Sequence, residues 1–178
     1  MQGFLAFQEV VGNFAAAVHV AVDFDAGDYQ MGGFVLRDPD SPPENWIKWE
    51  IGQLEDGVGG EGPQRRSTLA VLTTNGNSGD ALGPDLENNE EEAQETTLGI
   101  CRIDGQVHLA LRLLGTWQPG ASVGLTPDLG PTLQLGLGVA AEAGVSETST
   151  STFSRFRVDD DPPEDNCVEA MMRLLPEG

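Results

Sequence analysis

The stretch Asn45-Trp46-Ile47-Lys48-Trp49-Glu50 holds the densest chemistry in the chain: two indoles, an ammonium and a carboxylate. Read with a period of two, Ile47, Trp49 and Ile51 fall on one side of a strand. Trp46, Lys48 and Glu50 fall on the other. An aromatic on an open sheet face can stack on the apolar C–H face of a sugar ring. Trp46 is therefore the first candidate ligand contact, with Arg37, Lys48, His19 and His108 as polar contacts around it. Glu50 invites a catalytic reading, but a retaining glycosidase needs two carboxylates about 5–5.5 Å apart. No acid stands two residues from Glu50, so it is expected as an exposed strand residue paired with Lys48 or an arginine. Trp117, in a Gly-Thr-Trp-Gln-Pro-Gly stretch, is expected to plug a loop.

Hard oxygen ligands are abundant, which makes Ca2+ the metal to look for. Asp23, Asp25 and Asp28, in Asp-Phe-Asp-Ala-Gly-Asp, are the best set. They begin like a calcium loop but lack its later bidentate glutamate, so an acidic turn between strands is the alternative. Asp38 and Asp40 form a weaker pair. His19 and His108 are expected to be cross-strand neighbours, but no pair of cysteines beside them supports zinc. Cys101 and Cys167 either bridge the body to the tail or remain buried thiols, and sequence leaves both open. No Ser-His-Asp or Cys-His arrangement is legible, and no glycine-rich loop joins a strand to a helix to hold phosphate. The chain reads as non-catalytic.

Composition narrows the partners. The 178 residues carry 29 acids against 9 bases, a formal charge of −20, and Lys48 is the single lysine. Such a field repels phosphate backbones, so no nucleic acid is expected. No apolar run approaches the roughly 18 residues of a membrane span. A hydrophobic content of 39% is too high for a disordered chain. The start, Met1-Gln2-Gly3-Phe4-Leu5, lacks a basic region and an apolar run, so no signal peptide is read there.

Strands must position these residues. Alternation with a period of two fills residues 1–160, punctuated by Gly, Pro, Asn and Asp. Strands are expected near 3–11, 13–23, 30–38, 45–52, 67–74, 96–103, 106–114, 132–141 and 152–158. With no crossover helices, this pattern predicts an antiparallel sandwich or barrel. Asp104-Gly105 predicts a two-residue turn. It pairs Ile100 with Leu109 and Leu98 with Leu111 towards the core, and Cys101 with His108 and Gly99 with Ala110 away from it. Ala15, Ala17, Gly33, Gly99, Ala110, Gly136 and Gly138 all fall on outward faces, where charged residues are usual. Small side chains there leave room for a ligand, a protein partner or the protein's own loops. The run Asp-Asp-Asp-Pro-Pro-Glu-Asp at 159–165 marks a boundary. A domain over 1–160 and an acidic linker with a short helical tail over 161–178 are expected, Val168, Met171, Met172 and Leu175 recurring at helical spacing.

Several strands also share motifs with a known group. Phe4-Leu5-Ala6-Phe7-Gln8-Glu9-Val10-Val11-Gly12-Asn13-Phe14 resembles the "L-x-Q-E-V-x-G-D-F" segment of the concanavalin A-like lectin/glucanase superfamily, in particular its DUF1349-type (LamG-like) domains. Gly32-Gly33-Phe34-Val35-Leu36-Arg37, Asn45-Trp46-Ile47-Lys48, the hairpin over 98–111, Gln134-Leu135-Gly136-Leu137 and Phe153-Ser154-Arg155-Phe156-Arg157-Val158 are similar to its later strands. Asn13 replaces a common Asp, Thr74–Asp80 lacks the usual Trp, and the opening strand is largely missing, so the chain reads as a cut fragment. The resemblance implies an all-β jelly-roll sandwich of two curved antiparallel sheets with a short C-terminal helix. It also implies a ligand, a polysaccharide or other glycan, on the concave sheet. Glucan hydrolases of the superfamily often carry "E-x-D-x-x-E" on one strand, and no such string occurs here. The expected function is thus a non-catalytic carbohydrate-binding or adhesion module, secreted or at the cell surface. A structural domain that meets other protein subunits through its small-residue face is the alternative, with a glucanase-type hydrolase ranked below both.

Overall fold

The computed structural model describes residues 5–22, 30–40, 45–55, 64–74, 77–85, 95–120, 129–141, 150–162 and 166–175. They form β1 (Leu5–Val11), β2 (Phe14–Val22), β3 (Gln30–Arg37), β4 (Trp46–Glu55), β5 (Gln64–Thr74) and β6 (Asn77–Asp85). After these come β7 (Glu95–Ile103), β8 (Gln106–Leu113), β9 (Thr116–Pro119), β10 (Thr132–Ala141), β11 (Ser151–Asp159) and one helix, α1 (Cys167–Leu174). The strands make two antiparallel sheets, one of six in the order β1-β10-β3-β4-β5-β6 and one of five in the order β11-β2-β7-β8-β9. No described helix is long and apolar enough to cross a membrane.

Alternation builds the core. Phe14, Ala16, Val18, Val20 and Val22 of β2 meet Leu98 and Ile100 of β7 and Leu109 and Leu111 of β8 on one inner face. Phe34, Leu36, Ile47, Trp49, Ile51, Leu133 and Leu135 supply the other. Trp49 spans the gap, and its indole N–H donates to the Ala110 carbonyl at 2.8 Å, so its one polar atom is satisfied inside. Gly120 lets the ring lie close, because a Cβ there would stand 2.7 Å from the Trp49 ring.

The hairpin over 98–111 has the register that its turn residues predict, including Ile100↔Leu109, Leu98↔Leu111 and Cys101↔His108. Asp104 and Gly105 both take positive φ, 50° and 78°, as a tight turn between right-twisted strands needs. Two strands lie outside the sequence reading. β9 follows a second turn of the same kind at Leu114 and Gly115, φ 51° and 79°, where a leucine gives no turn signal. β6, Asn-Ser-Gly-Asp-Ala-Leu-Gly-Pro-Asp, lacks alternation and is recruited by pairing to β5.

At one end of the sandwich, the chain entering β10 is held from two sides. The buried Asp38 carboxylate accepts the Gly130 N–H at 2.9 Å and the Asp40 N–H at 3.0 Å. Arg102 donates to the Gly130 carbonyl at 2.7 Å and the Leu129 carbonyl at 3.3 Å. Asp38 thus serves the backbone, and these bonds use both of its oxygens. Asp38→Ala strands two N–H groups and is expected to cost about 2 kcal/mol in chemical denaturation. Adding Arg102→Ala should cost less than the sum of the two, because both grip one peptide. Strict additivity would count against a shared clamp.

Candidate functional site

The two sheets each turn one face away from the core, and the faces differ. On the five-stranded sheet, Ala15, Ala17, Cys101 and Ala110 form a smooth buried surface. Helix α1 lies on it, with Cys167, Ala170 and Met171 buried. Asn166 caps the helix by accepting the Val168 N–H at 3.0 Å. A Cβ at Gly99 would run into the Met171 sulfur, so that glycine is the seat of the helix. Trp117 is a strand residue of β9, buried beneath the helix end, with its indole N–H directed to the Leu175 carbonyl at 3.4 Å. It packs a helix rather than plugging a loop. Cys101 and Cys167 are bridged, which resolves the open alternative in favour of the disulfide. The small-residue surface of this sheet is therefore taken by the protein's own tail.

The outer face of the six-stranded sheet carries the candidate ligand contacts. Strand register assembles them in rows: Glu9, Gln134, Arg37 and Trp46, then Phe7, Gly136, Val35 and Lys48, then Gly138, Gly33 and Glu50. Adjacent members lie about 4.8 Å apart across strands, and rows follow at about 6.8 Å. Arg37, Trp46 and Lys48 are thus neighbours on one face. The Lys48 ammonium sits 5.1 Å above the Trp46 ring, a cation–π contact that covers one side of the indole. Any ring stacking on Trp46 would have to use the other side or displace the ammonium. On this face Gly33, Glu50, Gly136 and Gly138 are buried, and Arg37, Trp46 and Lys48 are half-buried.

His19 and His108 belong elsewhere. Both point outward from the five-stranded sheet, on the far side of the sandwich from Trp46. His19 is paired with Thr97 and His108 with Cys101, so β7 and four residues of register separate them, and they are not cross-strand neighbours. His19 Nδ1 lies 3.3 Å from the Thr97 hydroxyl and its Nε2 is 3.6 Å from Glu95, a local set of contacts. The sequence pattern could sort residues by face but not strands by sheet.

Glu50 departs most from expectation. It is 1% exposed, and its Oε2 is buried with no hydrogen-bond partner. Burial pushes its carboxyl up to about 7, and the charge of Lys48 offsets this only in part. Register sets Glu50 opposite Gly33, which faces Gly138. Both glycines, and Gly136 on the same face, are buried as Glu50 is. Glu9, on the same face, is three strands and two rows away, about 14 Å across and 13 Å along. That exceeds the separation of either glycosidase carboxylate arrangement. Asp23, Asp25 and Asp28 lie outside the described residues. Among the described residues, no group of three or more His, Cys, Asp or Glu is placed to hold a metal ion.

No protein-family model matches the sequence, and no curated protein does. Solved structures show the fold. A functionally unknown protein from Saccharomyces cerevisiae matches over 86% of this chain and 72% of its own, with a TM-score of 0.65 and 21% identity. Xylan β-1,4-xylosidase from Bacillus halodurans C-125 matches over 81% of this chain but only 27% of its own, with a TM-score of 0.56 and 14% identity. The CBM2 module of the evolved Dit of Lactobacillus casei BL23 phage J-1 matches over 82% and 59%, with a TM-score of 0.51 and 9% identity.

Proposed function

We propose that this chain is a non-catalytic carbohydrate-binding β-sandwich whose ligand lies on the outer face of the six-stranded sheet, at Trp46, Lys48 and Arg37. The asymmetry of the two outer faces carries this reading. One face is closed by a helix and a disulfide; the other bears an indole, an ammonium and a guanidinium in adjacent, half-buried positions. Stacking against the indole and hydrogen bonds from the two cations suit the alternating apolar and hydroxyl surfaces of a sugar ring. The separation of Glu9 from Glu50 favours binding over hydrolysis. That similar folds occur in a xylosidase and a carbohydrate-binding module agrees with the reading without identifying the sugar. The disulfide favours an oxidising compartment, and so secretion or display at the cell surface.

A glycan array that includes xylan oligosaccharides tests this, run with and without calcium because Asp23, Asp25 and Asp28 are still candidate ligands for that ion. At least one glycan should bind. Trp46→Ala should weaken it about tenfold, roughly 1.4 kcal/mol. His108→Ala, on the opposite sheet, should leave it unchanged. An empty array, or equal binding by Trp46→Ala, refutes the proposal.

A further inference from the structure

The sandwich has four sheet edges, β1, β6, β9 and β11. A bare edge strand invites pairing with another chain, and proteins blunt it with prolines, charges, bulges or brevity. Three of these edges are blunted. β6 carries Pro84 with Asp80 and Asp85. β9 is four residues long, ends in Pro119 and lies beside α1. β11 breaks register between Ser154 and Arg157, with Arg155 at φ 54°. β1 has none of these devices. Its seven residues, Leu-Ala-Phe-Gln-Glu-Val-Val, run in unbroken register with β10 and hold one charge, Glu9. Phe7 and Val11 on its outer face are 53% and 65% exposed. Ala6 and Gln8, on its core side, are exposed as well, because the sandwich is open along this seam.

An open cleft of about 530 Å³ adjoins the edge, lined by Gln8, Val10, Val11, Phe14 and Val158 together with two acidic residues, Glu9 and Asp160. Neither acid is in an ion pair among the described residues. Apolar walls with a charged rim suit a lysine or arginine, whose methylene stem packs while its head stays solvated. We propose that β1 is a docking edge for an extended peptide of basic character, which adds as a strand beside Leu5–Val11 and places a basic side chain in the cleft of Glu9 and Asp160. Backbone hydrogen bonds hold such a strand, and alternate side chains select it. The charge of −20 chooses this occupant over a second copy of the chain, since two copies would repel along the same edge.

The test uses fluorescence anisotropy with the full chain and a labelled peptide of about eight alternating valine and lysine residues, the strand-forming, basic pattern that the edge requires. Binding is expected. A valine–glutamate peptide should fail, and a lysine peptide N-methylated at alternate amides should lose at least tenfold, because it lacks the donors for pairing. Glu9→Lys with Asp160→Lys, both surface changes, should reverse the preference between the lysine and glutamate peptides. Equal binding of the methylated peptide would reduce the attraction to bulk charge and overturn the proposal. So would an unaltered preference in the charge-reversed variant, or self-association of the chain through β1 without peptide binding. The nearest residue of the glycan site, Arg37, lies two strands from Glu9 in the same row, so the peptide outcomes are read with no glycan present and judge the edge alone.

Discussion

Reducing the Cys101–Cys167 bridge, or replacing both cysteines by serine, will destabilise the protein by about 4 kcal/mol and release α1 from the sheet. The bridge spans 66 residues of sequence, and a loop of that order costs the unfolded chain about that much conformational freedom. The helix cannot compensate. Eight residues are too few for a helix to persist alone in water, so its order depends on docking. Its remaining attachments include Ala170 and Met171 over Gly99, the Trp117 N–H directed to the Leu175 carbonyl, and an Arg173–Asp159 pair at 3.8 Å whose arginine is exposed and which contributes little. Once the helix leaves, the surface of Ala15, Ala17 and Ala110 meets water, and so does Trp117. Urea melts with and without reductant should therefore differ, and reduction should red-shift tryptophan emission below the unfolding midpoint. Coincident melts with no emission change would mean that neither the bridge nor the helix closes that face.

Glu50→Gln will stabilise the protein at alkaline pH and leave it unaltered in acid. In the unfolded chain the carboxyl titrates near 4.5; in the fold, burial raises it to about 7. Between those values the folded chain keeps a proton that the unfolded chain has lost. The stability of the neutral buried acid is full below pH 4.5 and is lost as pH rises through about 7. The shift corresponds to roughly 3 kcal/mol. Glutamine mimics the neutral acid, so the variant should match wild type at pH 4 and exceed it by about 3 kcal/mol at pH 8.5, read from urea midpoints. The other carboxylates affect both proteins equally and cancel in the difference. A difference independent of pH would show an unshifted carboxyl, and a variant weaker at pH 8.5 a charged and paired one; either contradicts the burial effect.

What the sequence made legible follows from which interactions are local. Asp104-Gly105 and the flanking alternation state the 98–111 hairpin twice over, once through turn geometry and once through the apolar face, and the two agree. Period two likewise separates Trp46 from Trp49 without any knowledge of neighbours. Sheet membership is not local. His19 and His108 share outward orientation with Trp46, yet lie on the other sheet, because strand order follows from pairings that no single strand encodes. The burial of Glu50 is hidden for a similar reason: period two places it beside Trp46 and Lys48 on an outward face, and nothing local tells that this part of the face is covered. β6 and β9 escape detection because one lacks alternation and the other follows a leucine at positive φ. The small-residue faces were visible as an anomaly. Only the structure shows that α1 covers the five-stranded one.

The helix and its disulfide close one face of the sandwich, and the proposed sugar contacts lie on the other. Amide hydrogen exchange on the intact, oxidised protein, with and without whichever glycan the array selects, addresses this directly. Added glycan should slow exchange in 33–37, 46–50 and 134–138 of the six-stranded sheet and leave 97–101, 108–117 and 167–174 as they were. Protection confined to the helix and its sheet, with none around Trp46, would contradict it.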